Sequence, residues 1–89
     1  MIHSLAGGDL SQLSINDFAK VELLEGDQVG CIYWYITQIP ELKVNDLVLV
    51  PFGIRDVLIK AKVIKIERNL SNQVAPIPLK KAKKIYKIV

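Results

Sequence analysis

The sequence from Leu47 to Arg68 consists of two runs rich in Val and Ile, separated by a short turn that contains Gly53. Two β-branched runs joined by a few residues that include Gly are typical of a β-hairpin. In the second run the apolar positions change parity after Val63, which predicts a β-bulge between Val63 and Lys65. The chain is therefore predicted to be organised around a hairpin whose second strand is bent.

Two further strands are predicted before the hairpin. From Phe18 to Leu23 apolar and charged residues alternate, which is the period of a half-buried strand. The run from Gln28 to Thr37 is apolar at both parities. Its second face is either covered by another part of the chain or exposed as an aromatic patch for a partner.

The C-terminal part combines apolar residues at helical spacing with many lysines. Leu79, Ala82 and Ile85 recur at intervals of three, after a proline suited to a first helical turn. We expect a short helix from Leu79 to Lys84. The last residues, Tyr86 to Val89, either extend this helix or add a closing strand.

Length and composition predict a single domain with a packed core, because the chain has 89 residues and 51% of them are hydrophobic. Residues 1–17 lack a sustained period and are predicted to form a loosely ordered arm. Residues 18–89 are predicted to form one domain with a basic C-terminal segment. The expected fold is mainly β: a small SH3- or OB-like barrel of four or five strands with a short C-terminal helix.

The residue inventory argues against several classes of protein. Cys31 is the only cysteine, which favours a reducing, cytoplasmic compartment, and no run is long and apolar enough for a membrane span. The single histidine, His3, lies beside the N-terminus, and no phosphate-binding or dinucleotide motif follows a strand. We therefore expect no enzyme, no cofactor, no metal site, no small-molecule substrate and no membrane contact.

Lysine is the one residue type whose distribution indicates a ligand. From Val57 to Val89 there are nine Lys or Arg residues and a single acidic residue, Glu67, in a chain of net charge +3. This asymmetry fits a surface that binds phosphates, and it equally fits a solvated face that keeps an apolar protein soluble. The candidate phosphate contacts are Lys60, Lys62, Lys65, Lys80, Lys81, Lys83 and Lys84.

Three consecutive aromatic residues, Tyr33, Trp34 and Tyr35, precede this basic half of the chain. Aromatic side chains beside a basic strand commonly stack the bases of single-stranded nucleic acid. They also fill the cores of small domains, and at least one parity of the triplet must face inward. Both interpretations stay open at the level of sequence.

The order of these elements resembles the N-terminal, 3′-end-binding domain of the primosomal helicase PriA. The resemblance spans Ala19 to Ile66 and rests on the Tyr33–Tyr35 strand, the loop containing Leu42 and Asp46, and the run Val-Pro-Phe-Gly ending at Gly53. It implies a small β-barrel that binds the 3′ end of a DNA strand. Trp34 stands where that family has an acidic residue, and Asn45 stands where it usually has Gly.

The leading hypothesis is a stand-alone, non-enzymatic module that binds DNA or single-stranded nucleic acid. The lysines would contact phosphates, and Tyr33, Trp34 or Tyr35 would stack on bases. The alternative is a protein-interaction or self-assembling module that uses the apolar strand from Gln28 to Thr37.

Overall fold

A computed structural model describes residues 15–89, and it is mainly β. The five strands are β1 (Ile15–Leu23), β2 (Ile32–Thr37), β3 (Leu47–Phe52), β4 (Val57–Ser71) and β5 (Lys87–Ile88). They form one antiparallel sheet in the order β2-β1-β4-β3-β5. The prediction of a mainly β fold with four or five strands is confirmed.

The predicted hairpin is the β3–β4 pair. Its register runs without interruption from Leu47 opposite Lys62 to Phe52 opposite Val57. The turn between the strands has two residues with positive φ, Gly53 at 79° and Asp56 at 52°. Gly adopts this conformation without cost and Asp tolerates it better than most residues, so the turn chemistry agrees with the backbone.

The predicted β-bulge lies on β4. Lys20 of β1 is opposite Lys65, but the next residue, Val21, is opposite Val63, so Ile64 is an additional residue on β4. The bulge keeps apolar residues on the inner face of a long strand although the sequence changes parity. This prediction is confirmed.

The main core cluster lies on one face of the curved sheet, and Phe18 of β1 and Ile36 of β2, which have the opposite parity, are also buried. Apolar residues alternate inward from β1, β3 and β4, and they are joined by Tyr35 of β2, by Leu42 from the β2–β3 loop and by Ile85 from the C-terminal segment. Burial of this continuous apolar surface is the main favourable term for folding. The buried members of the cluster are Ala19, Val21, Leu23, Tyr35, Leu42, Val48, Val50, Ala61, Val63 and Ile85.

The predicted strand from Gln28 to Thr37 is shorter in the structure. Residues 27–30 form a turn, in which Gly30 has a φ of 88° and its amide donates to the Leu23 carbonyl over 2.9 Å. The pairing with β1 is regular only from Ile32 onward. Sequence periodicity extended the strand too far because Val29 is apolar, yet it lies in the turn and is exposed.

The predicted helix from Leu79 to Lys84 is wrong. The structure has only a 3₁₀ turn at Leu79–Lys81, and Ala82 is already extended, with φ −75° and ψ 133°. Ile85 is buried because its backbone pairs with β2, not because it lies on a helix face: its amide donates to the Ile36 carbonyl over 2.9 Å. Six residues are too few for a helix that competes with such pairing.

The extended C-terminal segment, residues 83–89, hydrogen-bonds to two different strands. The Ile36 amide of β2 donates to the Lys83 carbonyl over 2.8 Å. Further along, the Tyr86 amide donates to Leu49 of β3 over 2.8 Å, and β5 pairs with β3. Of the two alternatives for Tyr86 to Val89, helix extension or a closing strand, the structure therefore has the short strand β5.

The expected N-terminal arm covers residues 1–17, of which 1–14 lie outside the described residues. The other three, which begin at Ile15, form the start of β1. Within the described range, no helix has the length and apolar character needed to cross a membrane.

Candidate functional site: an aromatic and basic groove

A groove of about 160 Å³ lies between β2 and the end of β3. It is lined by aromatic residues from both strands, by the start of the hairpin turn and by lysines from the C-terminal part. Five of the ten residues proposed from sequence meet here. The lining residues are Tyr33, Trp34, Tyr35, Phe52, Gly53, Lys81 and Lys83.

The aromatic wall is formed by Tyr33 and Phe52. Their ring centroids are 5.2 Å apart and the planes are inclined by 59°, within the range of favourable aromatic pairs. Tyr33 is still 37% exposed, so the pair is accessible at the surface. The wall can therefore offer an aromatic face to a planar ligand.

Tyr35 anchors the base of the groove and is part of the core. It is 4% exposed, and its hydroxyl donates to the Pro51 carbonyl of β3 over 2.8 Å. Burial, together with the neighbouring Tyr33 and Asp56, raises the pKa of Tyr35 from 10.0 to about 12. Tyr35 is therefore a neutral structural link between β2 and β3.

The basic rim joins the C-terminal segment to the hairpin turn. The Lys83 ammonium group donates to the Gly53 carbonyl over 2.7 Å and forms an ion pair with Asp56 over 2.6 Å. Lys81, from the 3₁₀ turn, is exposed on the same rim. Two cationic groups thus flank the aromatic wall, and one of them is paired with a carboxylate.

Trp34 lies between the two tyrosines on β2 and contributes to the groove lining, but alternation along the strand places its ring on the opposite face of the sheet, beside Lys20. Side chains alternate along a strand, and the Lys20 ammonium group lies 5.8 Å from the Trp34 ring centroid. Trp34 is half-buried. The aromatic triplet therefore contributes side chains to both faces of β2.

The other predicted lysines do not reach the groove. Lys60, Lys62 and Lys65 alternate with the buried residues of β4 and lie on the outer face of the sheet. Lys80 and Lys84 are exposed on the C-terminal segment away from the groove lining. The structure thus divides the predicted phosphate contacts between two surfaces.

Three residues at these surfaces were not among the site residues proposed from the sequence. Phe52 and Gly53 belong to the run Val-Pro-Phe-Gly that was noted in the sequence, and this was the available signal for them. Lys20 had no signal, because its proximity to Trp34 arises only from the β1–β2 register. Local sequence patterns do not contain such cross-strand neighbours.

A larger depression of about 510 Å³ lies where β1, β4 and the β2–β3 loop meet, beside Arg68. The Arg68 guanidinium donates to Asp17 over 2.9 Å and to the carbonyls of Pro40 and Leu42 over 3.1 Å each. These contacts use its donors to hold the loop against the sheet. We therefore assign Arg68 a structural role and place the candidate site at the smaller groove.

In the described part of the chain, no group of three or more His, Cys, Asp and Glu residues has an arrangement that could hold a metal ion. Comparisons with protein-family models, with curated proteins and with solved structures give no match to this chain.

Proposed function

We propose that the protein is a small, non-enzymatic module that binds single-stranded nucleic acid, with one unstacked base in the aromatic and basic groove. The observation that carries the proposal is the placement of the Tyr33–Phe52 pair directly beside Lys81 and Lys83. Aromatic faces next to cationic side chains are the general means by which proteins hold single strands.

The dimensions of the groove support a single base as its occupant. A cavity of about 150 Å³ accommodates one benzene ring, and the groove has a volume of about 160 Å³. A base within a duplex is stacked on both sides and is not available to such a groove. Lys81 and Lys83 lie on the rim, where the phosphates adjacent to an inserted base would pass.

The resemblance to PriA and the closure of the sheet into a barrel are both part of this proposal. The hydrogen bonds of residues 83–89 to both β2 and β3 support the closed barrel. Asn45, where that family usually has Gly, has a φ of 79°, a conformation in which Gly is unstrained. Trp34, where the family has an acidic residue, supplies no carboxylate, so specific recognition of a 3′ hydroxyl lacks support. A cytoplasmic setting is likewise proposed, because Cys31 is a free thiol.

The test is a titration of the protein with fluorescently labelled oligothymidylate, followed by anisotropy at low and at moderate salt. We expect saturable binding that weakens with salt, and loss of most of the affinity in Tyr33→Leu. The matched control is Tyr86→Leu, because Tyr86 is 63% exposed and lies outside the groove lining. Equal affinities for both variants and the unmodified protein would reject the groove as the binding site.

A second set of oligonucleotides, with free or blocked 3′ ends, tests the narrower PriA-like mechanism. Preference for a free 3′ end would support it despite Trp34. Equal binding of both ends would restrict the proposal to binding along the strand.

One observation favours a second candidate function, association with a protein or with another copy. The edge of β2 that faces away from β1 pairs with the C-terminal segment at Ile36. Within residues 15–89, the backbone groups of Ile32 and Trp34 on this edge have no strand partner. Ile32 is 49% exposed beside it. Open edges are templates for strand addition. Sedimentation over a range of concentrations tests self-association, which a constant monomer mass would reject.

A further inference from the structure

A row of three side chains crosses the outer face of the sheet, on the side opposite to the groove. The register places Lys20 of β1 directly opposite Trp34 of β2 and directly opposite Lys65 of β4. Adjacent strands are about 4.8 Å apart, so the row spans roughly 10 Å. We call Trp34, Lys20 and Lys65 the outer row.

The outer row contains one like-charged pair, in which Lys65 is also paired with Glu67 and Lys20 also lies over the Trp34 ring. Like charges directly opposite each other on neighbouring strands are destabilising, and Lys20 and Lys65 occupy such positions. The bulge on β4 creates this juxtaposition, because Ile64 would otherwise lie opposite Lys20. Bulges frequently redirect a side chain next to a binding site.

The surrounding charges leave the outer face cationic. Its charged residues on β1 and β4 are four lysines and two glutamates. Glu67 forms an exposed ion pair with Lys65 over 3.3 Å, and Glu22 lies opposite Lys62. The outer face therefore has an excess of positive charge beside the Trp34 ring. Such a surface is complementary to a polyanion that carries bases. The members of this charged set are Lys20, Lys60, Lys62, Lys65, Glu22 and Glu67.

We propose that the outer row is a second contact surface for the same single strand, which passes over the open edge of β2 between the two faces of the sheet. This inference rests on the proposed function of the groove. Tyr33 and Trp34 are consecutive residues that face opposite sides of β2, so only the width of one strand separates the two surfaces. Lys20 and Lys65 contact phosphates, and Trp34 contacts a base or sugar.

Oligonucleotide length separates the two surfaces. A dinucleotide of thymidine has a single internal phosphate, which lies at the groove lysines when one base is in the groove, whereas a dodecanucleotide reaches the outer row as well. We expect Lys20→Gln and Lys65→Gln to lower the affinity for the dodecanucleotide several-fold and to leave that for the dinucleotide unchanged. Each lost phosphate contact lowers the slope of log K against log salt by about 0.7. Lys43→Gln, an exposed loop lysine outside the row, is the control for the change in net charge.

The melting temperature of each variant separates lost binding from lost folding. Lys20→Gln removes the repulsion with Lys65 and also the contact with the Trp34 ring, and these two effects oppose each other, so its melting temperature is expected to stay close to that of the unmodified protein. Equal effects of Lys20→Gln and Lys43→Gln on the dodecanucleotide would overturn the outer row while the groove proposal survives. Absence of binding to either oligonucleotide by the unmodified protein would overturn both.

Discussion

The rings of Tyr33 and Phe52 are in contact although their strands are not neighbours in the sheet: β1 and β4 lie between them. The sheet is therefore curved enough to bring β2 and the end of β3 into contact. The Tyr35 hydroxyl, which donates to Pro51, makes a second connection between the same strands. The groove is consequently a product of the whole sheet, and substitutions that change the curvature will alter the site at a distance.

Removing the carboxylate of Asp56 is expected to strengthen the binding of oligonucleotides. Asp56 occupies the Lys83 ammonium group, so Asp56→Asn makes that cation available to a phosphate. Asn tolerates the φ of 52° at this position, and an exposed ion pair contributes about 0–1 kcal/mol to stability. The measurement is the dissociation constant at two salt concentrations. Weaker binding by a stably folded Asp56→Asn variant would mean that the ion pair shapes the groove and does not compete with the ligand.

Stability is expected to fall at alkaline pH because of Tyr35. Its folded-state pKa of about 12 exceeds the value of 10.0 for an exposed tyrosine, so the neutral hydroxyl stabilises the fold below pH about 10. This contribution, about 3 kcal/mol at 1.4 kcal/mol per pKa unit, is lost as the pH rises from about 10 to about 12.

Urea unfolding of the unmodified protein and of Tyr35→Phe across this pH range isolates the effect from the titration of lysines. At neutral pH the free energy of unfolding of the Phe variant is lower by about 1 kcal/mol, because this variant lacks the hydrogen bond to Pro51. Above pH about 10 its free energy of unfolding falls less steeply than that of the unmodified protein. Parallel pH profiles of the two proteins would contradict the assignment to Tyr35.

Arg68 is expected to matter for stability and not for binding. Arg68→Leu removes the donor of Asp17 Oδ2 and of the carbonyls of Pro40 and Leu42, while Asp17 Oδ1 still accepts from the Asn69 amide. We expect the free energy of unfolding to decrease by about 2 kcal/mol, measured by urea denaturation. Arg55→Leu, in the exposed hairpin turn, is the control and should change it little. A loss of oligonucleotide affinity in folded Arg68→Leu would instead place a binding surface at the larger depression.

Period-2 alternation was sufficient to predict the central hairpin and even the bulge near Ile64, because apolar and charged residues alternate in the sequence on either side of it with a change of parity. The C-terminal helix failed for a physical reason. The spacing of Leu79, Ala82 and Ile85 satisfies a helix, but the backbone at Ile85 pairs with an edge strand that the local sequence does not reveal. Tertiary pairing overrides weak local preferences.

The candidate site was predicted only in part. Tyr33 and Lys83 were singled out by residue type, yet nothing in their separation of fifty positions indicates that both line one groove. The lysines of β4 were assigned to the same surface and lie on the opposite face. Residue types indicate the kind of ligand, whereas register and sheet curvature decide which residues meet it.

Base binding in the groove is tested most directly by the affinity of Tyr33→Leu for single-stranded oligothymidylate, compared with that of Tyr86→Leu. Base stacking on an aromatic side chain contributes about 1–3 kcal/mol per base. We therefore predict that Tyr33→Leu binds at least about fivefold more weakly at the lower end of this range, while Tyr86→Leu binds like the unmodified protein. Unchanged affinity in a folded Tyr33→Leu variant would contradict base binding in the groove.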